Sequence, residues 1–215
     1  MERDNFIPLD TAKAEIIEAL RSFDADLGDR AEDILTDKRR LNIHEQKVPD
    51  KNIMQYRPAG VTPEEVESGP LYMPDFAREF APNWTIQHNF NDYGIIDFEY
   101  HGTFESIAWL SHELGHAIAD DIQRENGHSF RDYSQSEMER QAHFVQHIVS
   151  SHLQDKYPGT TPQDLGEGLG EWSEDRQSDY HCARQAFSRA ASCEDPAQRQ
   201  IAVIQGLDQK MQPFR

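Results

Sequence analysis

The stretch that most constrains this chain is "FESIAWLSHELGHAIADDIQ", residues 104–123. Apolar residues flank its polar centre, "ESIAWLS" before and "AIA" after, which predicts a buried helix over Thr103–Arg124 with Thr103 as N-cap. Inside it His112 and His116 are four residues apart, so both imidazoles lie on one face, a turn apart. Burying two imidazoles and the carboxylate of Glu113 without partners is costly.

A metal ion removes that cost. The histidine pair offers the bite of a tetrahedral Zn²⁺, which lowers the pKa of a bound water and polarises a carbonyl. Glu113, one position round from His112, reads as the general base that takes a proton from that water and delivers it to a leaving amine. Gly115 fits the same picture. A glycine inside a helix costs about 1 kcal/mol relative to alanine, and close packing of another element over the metal helix supplies the reason.

Hydrolytic zinc sites have three protein ligands and one open position. No histidine follows His116 at the spacing of the common extended motif, so the third ligand is expected from a second helix, "SEMERQAHFVQHIVSSHL". Its buried stripe reads Met138, Ala142, Val145, Val149 and Leu153. Glu139, 23 positions after His116, lies at the edge of that stripe, whereas Glu137 points further to solvent. His143, a turn beyond Glu139, is a partner of the ligands, a substrate contact or a plain surface histidine. Asp120, a turn beyond His116, either orients that histidine through its other nitrogen or is a surface acid.

The rest of the chain sets the frame. Its 215 residues make one domain, read as an N-terminal helical segment (1–37), a proline-rich irregular segment (38–82), the zinc-binding core (83–155) and C-terminal helices (156–215). Ile16, Leu20, Phe23 and Leu27 predict one helix over Thr11–Leu35, capped by Asp10 or Thr11. Trp84–Phe90 and Ile95–Tyr100, joined by "NDYG", predict a β-hairpin whose Ile95–Tyr100 edge would receive an extended substrate by strand addition. The second core helix is expected over Ser136–Leu153, and two more over Ser173–Ala190 and Ala197–Met211. "GEGLGEW" reads as a turn, not a phosphate cradle. The fold class is mainly α (α+β), a helical catalytic core with a small hairpin or sheet along the cleft.

A net charge of −18, from 39 acidic and 21 basic residues, argues against nucleic acid as a partner and favours a basic peptide or protein substrate. No apolar run reaches the roughly 20 residues of a membrane span. The N-terminus lacks a basic start followed by an apolar block, which predicts a cytoplasmic site of synthesis. Delivery as an effector by a dedicated secretion machine would leave no such mark. Cys182 and Cys193 match no zinc spacing and are read as reduced.

"GTFESIAWLSHELGHAI" followed by "EMERQAHFVQHIV" resembles the catalytic core of the thimet oligopeptidase and oligoendopeptidase F family of zinc peptidases, a gluzincin pattern. The resemblance implies His112 and His116 as zinc ligands, Glu113 as the base and Glu139 as the third ligand, with Ala142 and Phe144 as the flanking pattern. It covers roughly Phe90 to Leu153. The chain departs from it at Ala119, where a histidine is common, at Gln146, where a glutamate is, and in being much shorter. The family's oxyanion-steadying tyrosine and histidine have an echo in "DYHC", Tyr180 and His181, for which Tyr133 and Tyr157 compete. The same residues also resemble the phage-immunity and stress-response peptidases that cleave repressors. The expectation is a zinc-dependent endopeptidase; a non-catalytic, zinc-stabilised binding protein with an acidic face is the alternative.

Overall fold

Residues 6–45, 54–60, 91–166 and 174–207 are described by a computed structural model. They form α1 (Leu9–Phe23), α2 (Ala25–Thr36), β1 (Leu41–Glu45), β2 (Met54–Arg57), β3 (Ile95–Tyr100), α3 (Phe104–Glu125), α4 (Gln135–Lys156), α5 (Glu174–Ala191) and α6 (Pro196–Leu207). The fold is mainly helical with one small sheet, as the sequence predicts. No helix among the described residues is long and apolar enough to cross a membrane.

α3 is the axis of the structure. Thr103 stands in extended backbone at its start and accepts the Ser106 N–H at 3.0 Å, satisfying one of the amides that a helix leaves open. Ile107, Leu110, Leu114, Ala117 and Ile118 are fully buried along it. α4 begins one residue earlier than its apolar pattern suggests, because Ser134 and Glu137 form a capping box: the Ser134 N–H donates to Glu137 Oε2 at 2.7 Å. Ala142, Val145, Val149 and Leu153 make its buried stripe, while Met138 is only half-buried.

The two helices approach unusually closely at Gly115. A Cβ built there would lie 2.7 Å from Ala142 Cα and 2.9 Å from its carbonyl oxygen. The missing side chain is therefore what lets α4 lie against the histidine face of α3. The lost helix propensity is exchanged for backbone proximity.

Around this pair the remaining elements close a single core. The expected helix over Thr11–Leu35 is two helices. Asp24 adopts extended backbone (φ −153°, ψ 129°) and its carboxylate accepts the Leu27 N–H at 3.1 Å, so it caps a new helix instead of continuing the old one. Pro8 occupies the cap position of α1, and neither Asp10 nor Thr11 caps it. The helices α1 and α4 are tied by Tyr157, whose hydroxyl donates to Glu15 Oε1 at 2.7 Å. Arg30 clamps Glu125 through two 2.8 Å bonds, and Arg40 clamps Asp121 at 2.7 and 3.0 Å, holding α2 and β1 to α3.

The sheet order is β1-β3-β2, with β1 parallel and β2 antiparallel to β3. Ile96, Phe98 and Tyr100 point into the core, as alternation requires. This corrects the hairpin reading. Among the described residues β3 is the central strand: β1 pairs Ile96–Tyr100 on one edge and β2 pairs Ile95–Phe98 on the other, so most of the edge expected to receive a substrate strand is already occupied. The proposed first strand, Trp84–Phe90, lies outside the described residues, as do most of "GEGLGEW" and the end of the last helix beyond Leu207. Both partners of β3 are short strands from the proline-rich segment, which reads as mostly loop and short extended pieces.

Candidate metal centre

His112 and His116 project from one face of α3, and Glu139 reaches them from the first turns of α4. One ligand atom of each lies within 4.8 Å of the other two. Glu139 Oε2 stands 3.5 Å from His112 Nε2, and Oε1 stands 3.9 Å from His116 Nε2. Two donors each about 2.0–2.1 Å from a tetrahedral ion stand about 3.4 Å apart. The 3.5 Å pair is close to that spacing and the 3.9 Å pair somewhat wider, both longer than a good hydrogen bond, so the group could hold a metal ion. Glu139 Oε2 is buried with no hydrogen-bond partner among the described residues, a carboxylate oxygen whose cost a cation would offset.

The protonation states agree. Burial, reinforced by His112, pushes His116 down to about 4, so it is neutral near pH 7 and offers a lone pair. Burial works to raise the Glu139 carboxyl, but His112, His116 and His143 outweigh it and hold the group well below the usual carboxylate range. A neutral imidazole beside an ionised carboxylate is what a divalent cation requires. Glu137, the rejected alternative, is engaged in the capping box of α4.

Each imidazole is steadied differently. The side-chain oxygen of Gln146 accepts from His112 Nδ1 at 3.3 Å and from His143 Nδ1 at 2.8 Å. With Nδ1 turned to Gln146, Nε2 is the His112 nitrogen that faces Glu139. His143 is fully buried, its ring centroid 4.5 Å from that of His112, so it packs on the candidate cluster and is not a surface histidine. On its other side, His112 meets the edge of Trp109 at 5.4 Å. The His116 ring lies against Tyr56 of β2, centroids 5.8 Å apart and planes 17° from parallel.

Asp120 is buried, as its place beside His116 suggested, but it faces Tyr56. Its Oδ2 accepts the Tyr56 hydroxyl at 2.7 Å and the Ala59 N–H at 3.4 Å. Burial raises its carboxyl, opposed by the bond from Tyr56 and by Arg124. Among the described residues neither Asp120 oxygen bonds to His116, so the expected direct orientation of that histidine by Asp120 is not found.

Glu113 is 7% exposed, one residue after His112 on the same helix. Tyr180 is buried on α5 with its ring 5.4 Å from His143 and 4.4 Å from His147, one ring removed from His112. His181 is exposed and lines a shallow surface cleft with Arg184, Gln185, Ser188 and Arg189, facing solvent instead of the ligand cluster. Tyr133 is buried and its ring packs at 6.2 Å from His128, and Tyr157 is committed to Glu15.

Sequence reasoning gave no role to two residues that border the site: Gln146, noted only where the resembled family has a glutamate, and Tyr56. Gln146 lies seven positions after Glu139, on the same face of α4, so helical periodicity marked it. Tyr56 carried no local signal, because it is brought in by a strand from the proline-rich segment.

A second group of donors, Glu15, Glu18 and His152, is close enough to hold a cation. Its place is taken by the ammonium of Lys156, 3.0 Å from Glu15 and paired also with Glu18. No protein-family model matches the chain, and neither the curated proteins nor the solved structures yield a match.

Proposed function

We propose that the chain is a zinc-dependent endopeptidase in which His112, His116 and Glu139 hold the metal. The observation that carries this reading is the convergence of two imidazole nitrogens and a buried carboxylate from two helices locked together at Gly115. The resemblance of "HELGH" and the following "EMERQAHF" to gluzincin peptidases supplies the reaction class.

A zinc ion held there supplies Lewis acidity, making a water acidic near neutral pH and polarising the carbonyl of a peptide bond. The chain's own residues do the rest. Glu113, next to His112 and largely shielded from solvent, takes the proton of the attacking water on its carboxylate and passes it to the departing amide nitrogen. Gln146 keeps His112 in the tautomer that presents Nε2. The acidic chain, net −18, favours polypeptide substrates with basic residues near the cut.

The test is metal analysis of protein purified without chelator, followed by mapping of new N-termini in a proteome digested by the wild type and by Glu113→Gln. The expected result is about one zinc per chain in both, with cleavage in the wild type and a loss of about 10³-fold or more in the variant. Equal cleavage by Glu113→Gln would refute the assignment of the base. A wild type that holds zinc but produces no new N-termini would refute the peptidase reading and leave a metal-stabilised binding protein.

A further inference from the structure

The two histidines of the metal helix are not held alike. His112 has an amide oxygen at Nδ1, the usual way an imidazole ligand is fixed. For His116 the described structure provides a face: the Tyr56 ring, 17° from parallel. That ring is fixed at its far end by the short bond from its hydroxyl to Asp120, a carboxylate only 3% exposed and anchored on α3 one turn beyond His116. The strand register sets Tyr56 opposite Ile96 on the core-facing side of the sheet. Gly94, just before β3, clears the space, since a Cβ there would lie 2.0 Å from the Tyr56 hydroxyl oxygen. The glycine, the strand, the phenol and the acid all serve one ring placement.

We infer that Tyr56 is a positioning residue for the metal site, its ring setting the plane of His116 and its hydroxyl, bound to Asp120, setting the plane of the ring. The inference rests on the metal reading above. It makes the sheet part of the metal centre: Tyr56 is not one of the three ligating residues, yet it fixes the rotation of one. An imidazole turned about its Cβ–Cγ bond moves Nε2 away from the point that His112 and Glu139 share.

Cobalt is the probe, since its visible spectrum reports ligand geometry without any substrate. Wild type, Tyr56→Phe and Tyr56→Leu are loaded with Co²⁺, and Zn²⁺ release to an excess of chelator is timed separately. Tyr56→Phe keeps the ring but removes its tie to Asp120, so a cobalt spectrum and a release rate between those of wild type and Tyr56→Leu are expected. Tyr56→Leu removes the ring, so a shifted spectrum and release faster by about 10- to 100-fold are expected, the range for losing a group that orients a ligand.

An unchanged spectrum and release rate in Tyr56→Leu would overturn the inference while leaving the metal site intact. A wild type that takes up neither ion would remove the metal reading and the inference with it. Should Tyr56→Leu fail to fold, metal-free wild type still decides. Through-space magnetisation transfer between the ring protons of Tyr56 and His116 is expected, and its absence overturns the stacking.

Discussion

Gly115→Ala sets two effects of known sign against each other. Alanine in a helix interior is worth about 1 kcal/mol over glycine, so propensity alone predicts a more stable protein. The new methyl, however, would sit 2.7 Å from Ala142 Cα and 2.9 Å from Ala142 O, where ordinary contact needs about 3.5 Å. Both are backbone atoms and cannot rotate aside, so α3 and α4 must separate by about 0.8 Å. Overpacking of this kind costs about 1–3 kcal/mol, which outweighs the helix gain or just cancels it. Glu139 lies three residues before Ala142 and moves with it, widening the 3.5 Å gap to His112 Nε2.

Metal sites hold their ligands to within about 0.5 Å, so zinc affinity should fall by about 10- to 100-fold while the metal-free protein loses at most about 2 kcal/mol. Chelator competition gives the first quantity and urea unfolding of metal-free protein the second. A variant that is more stable than wild type and binds zinc equally well would show that the contact between α3 and α4 is not what the glycine is for.

Two further outcomes follow from buried hydrogen bonds. Gln146→Leu leaves the Nδ1–H groups of His112 and His143 without their shared acceptor, at about 1–3 kcal/mol for each buried donor, and zinc affinity drops by about 10- to 100-fold. Gln146→Glu keeps the acceptor and should hold zinc at least as well as wild type, which competition with a chelator dye will read. His147, buried and donating Nε2–H to the Tyr180 carbonyl at 3.3 Å, is pushed by burial from 6.5 down to about 4. Its unfolded pKa is the higher one, so its stabilisation is complete above pH 6.5 and is lost as pH falls toward 4, by about 3 kcal/mol. His116 titrates over the same window, so the comparison is with His147→Gln, whose urea midpoint should fall less steeply between pH 6.5 and 4; parallel profiles would refute this assignment.

Local chemistry alone determined the helix that carries His112 and His116. The spacing of His112 and His116, the Thr103 cap and the apolar flanks act within a few turns, and the helix is found over Phe104–Glu125 as those signals require. Glu139 was legible too, because the stripe of Ala142, Val145, Val149 and Leu153 orients α4. Gly115 announced a close approach without saying to what. The break at Asp24 was also written locally, as a cap for Leu27, but the periodicity of Ile16, Leu20 and Leu27 carries through it and masks it.

Only the tertiary structure decided the rest. It made β3 a central strand between two pieces of the proline-rich segment, because strand pairing depends on partners distant in sequence and not on the turn beside the strand. It set Tyr56 between Asp120 and His116, residues 64 and 60 positions away. It also turned Gln146 into the shared acceptor of His112 and His143. A helix fixes which side chains face the same way. What stands opposite them is chosen by the packing of elements whose contacts no local pattern records.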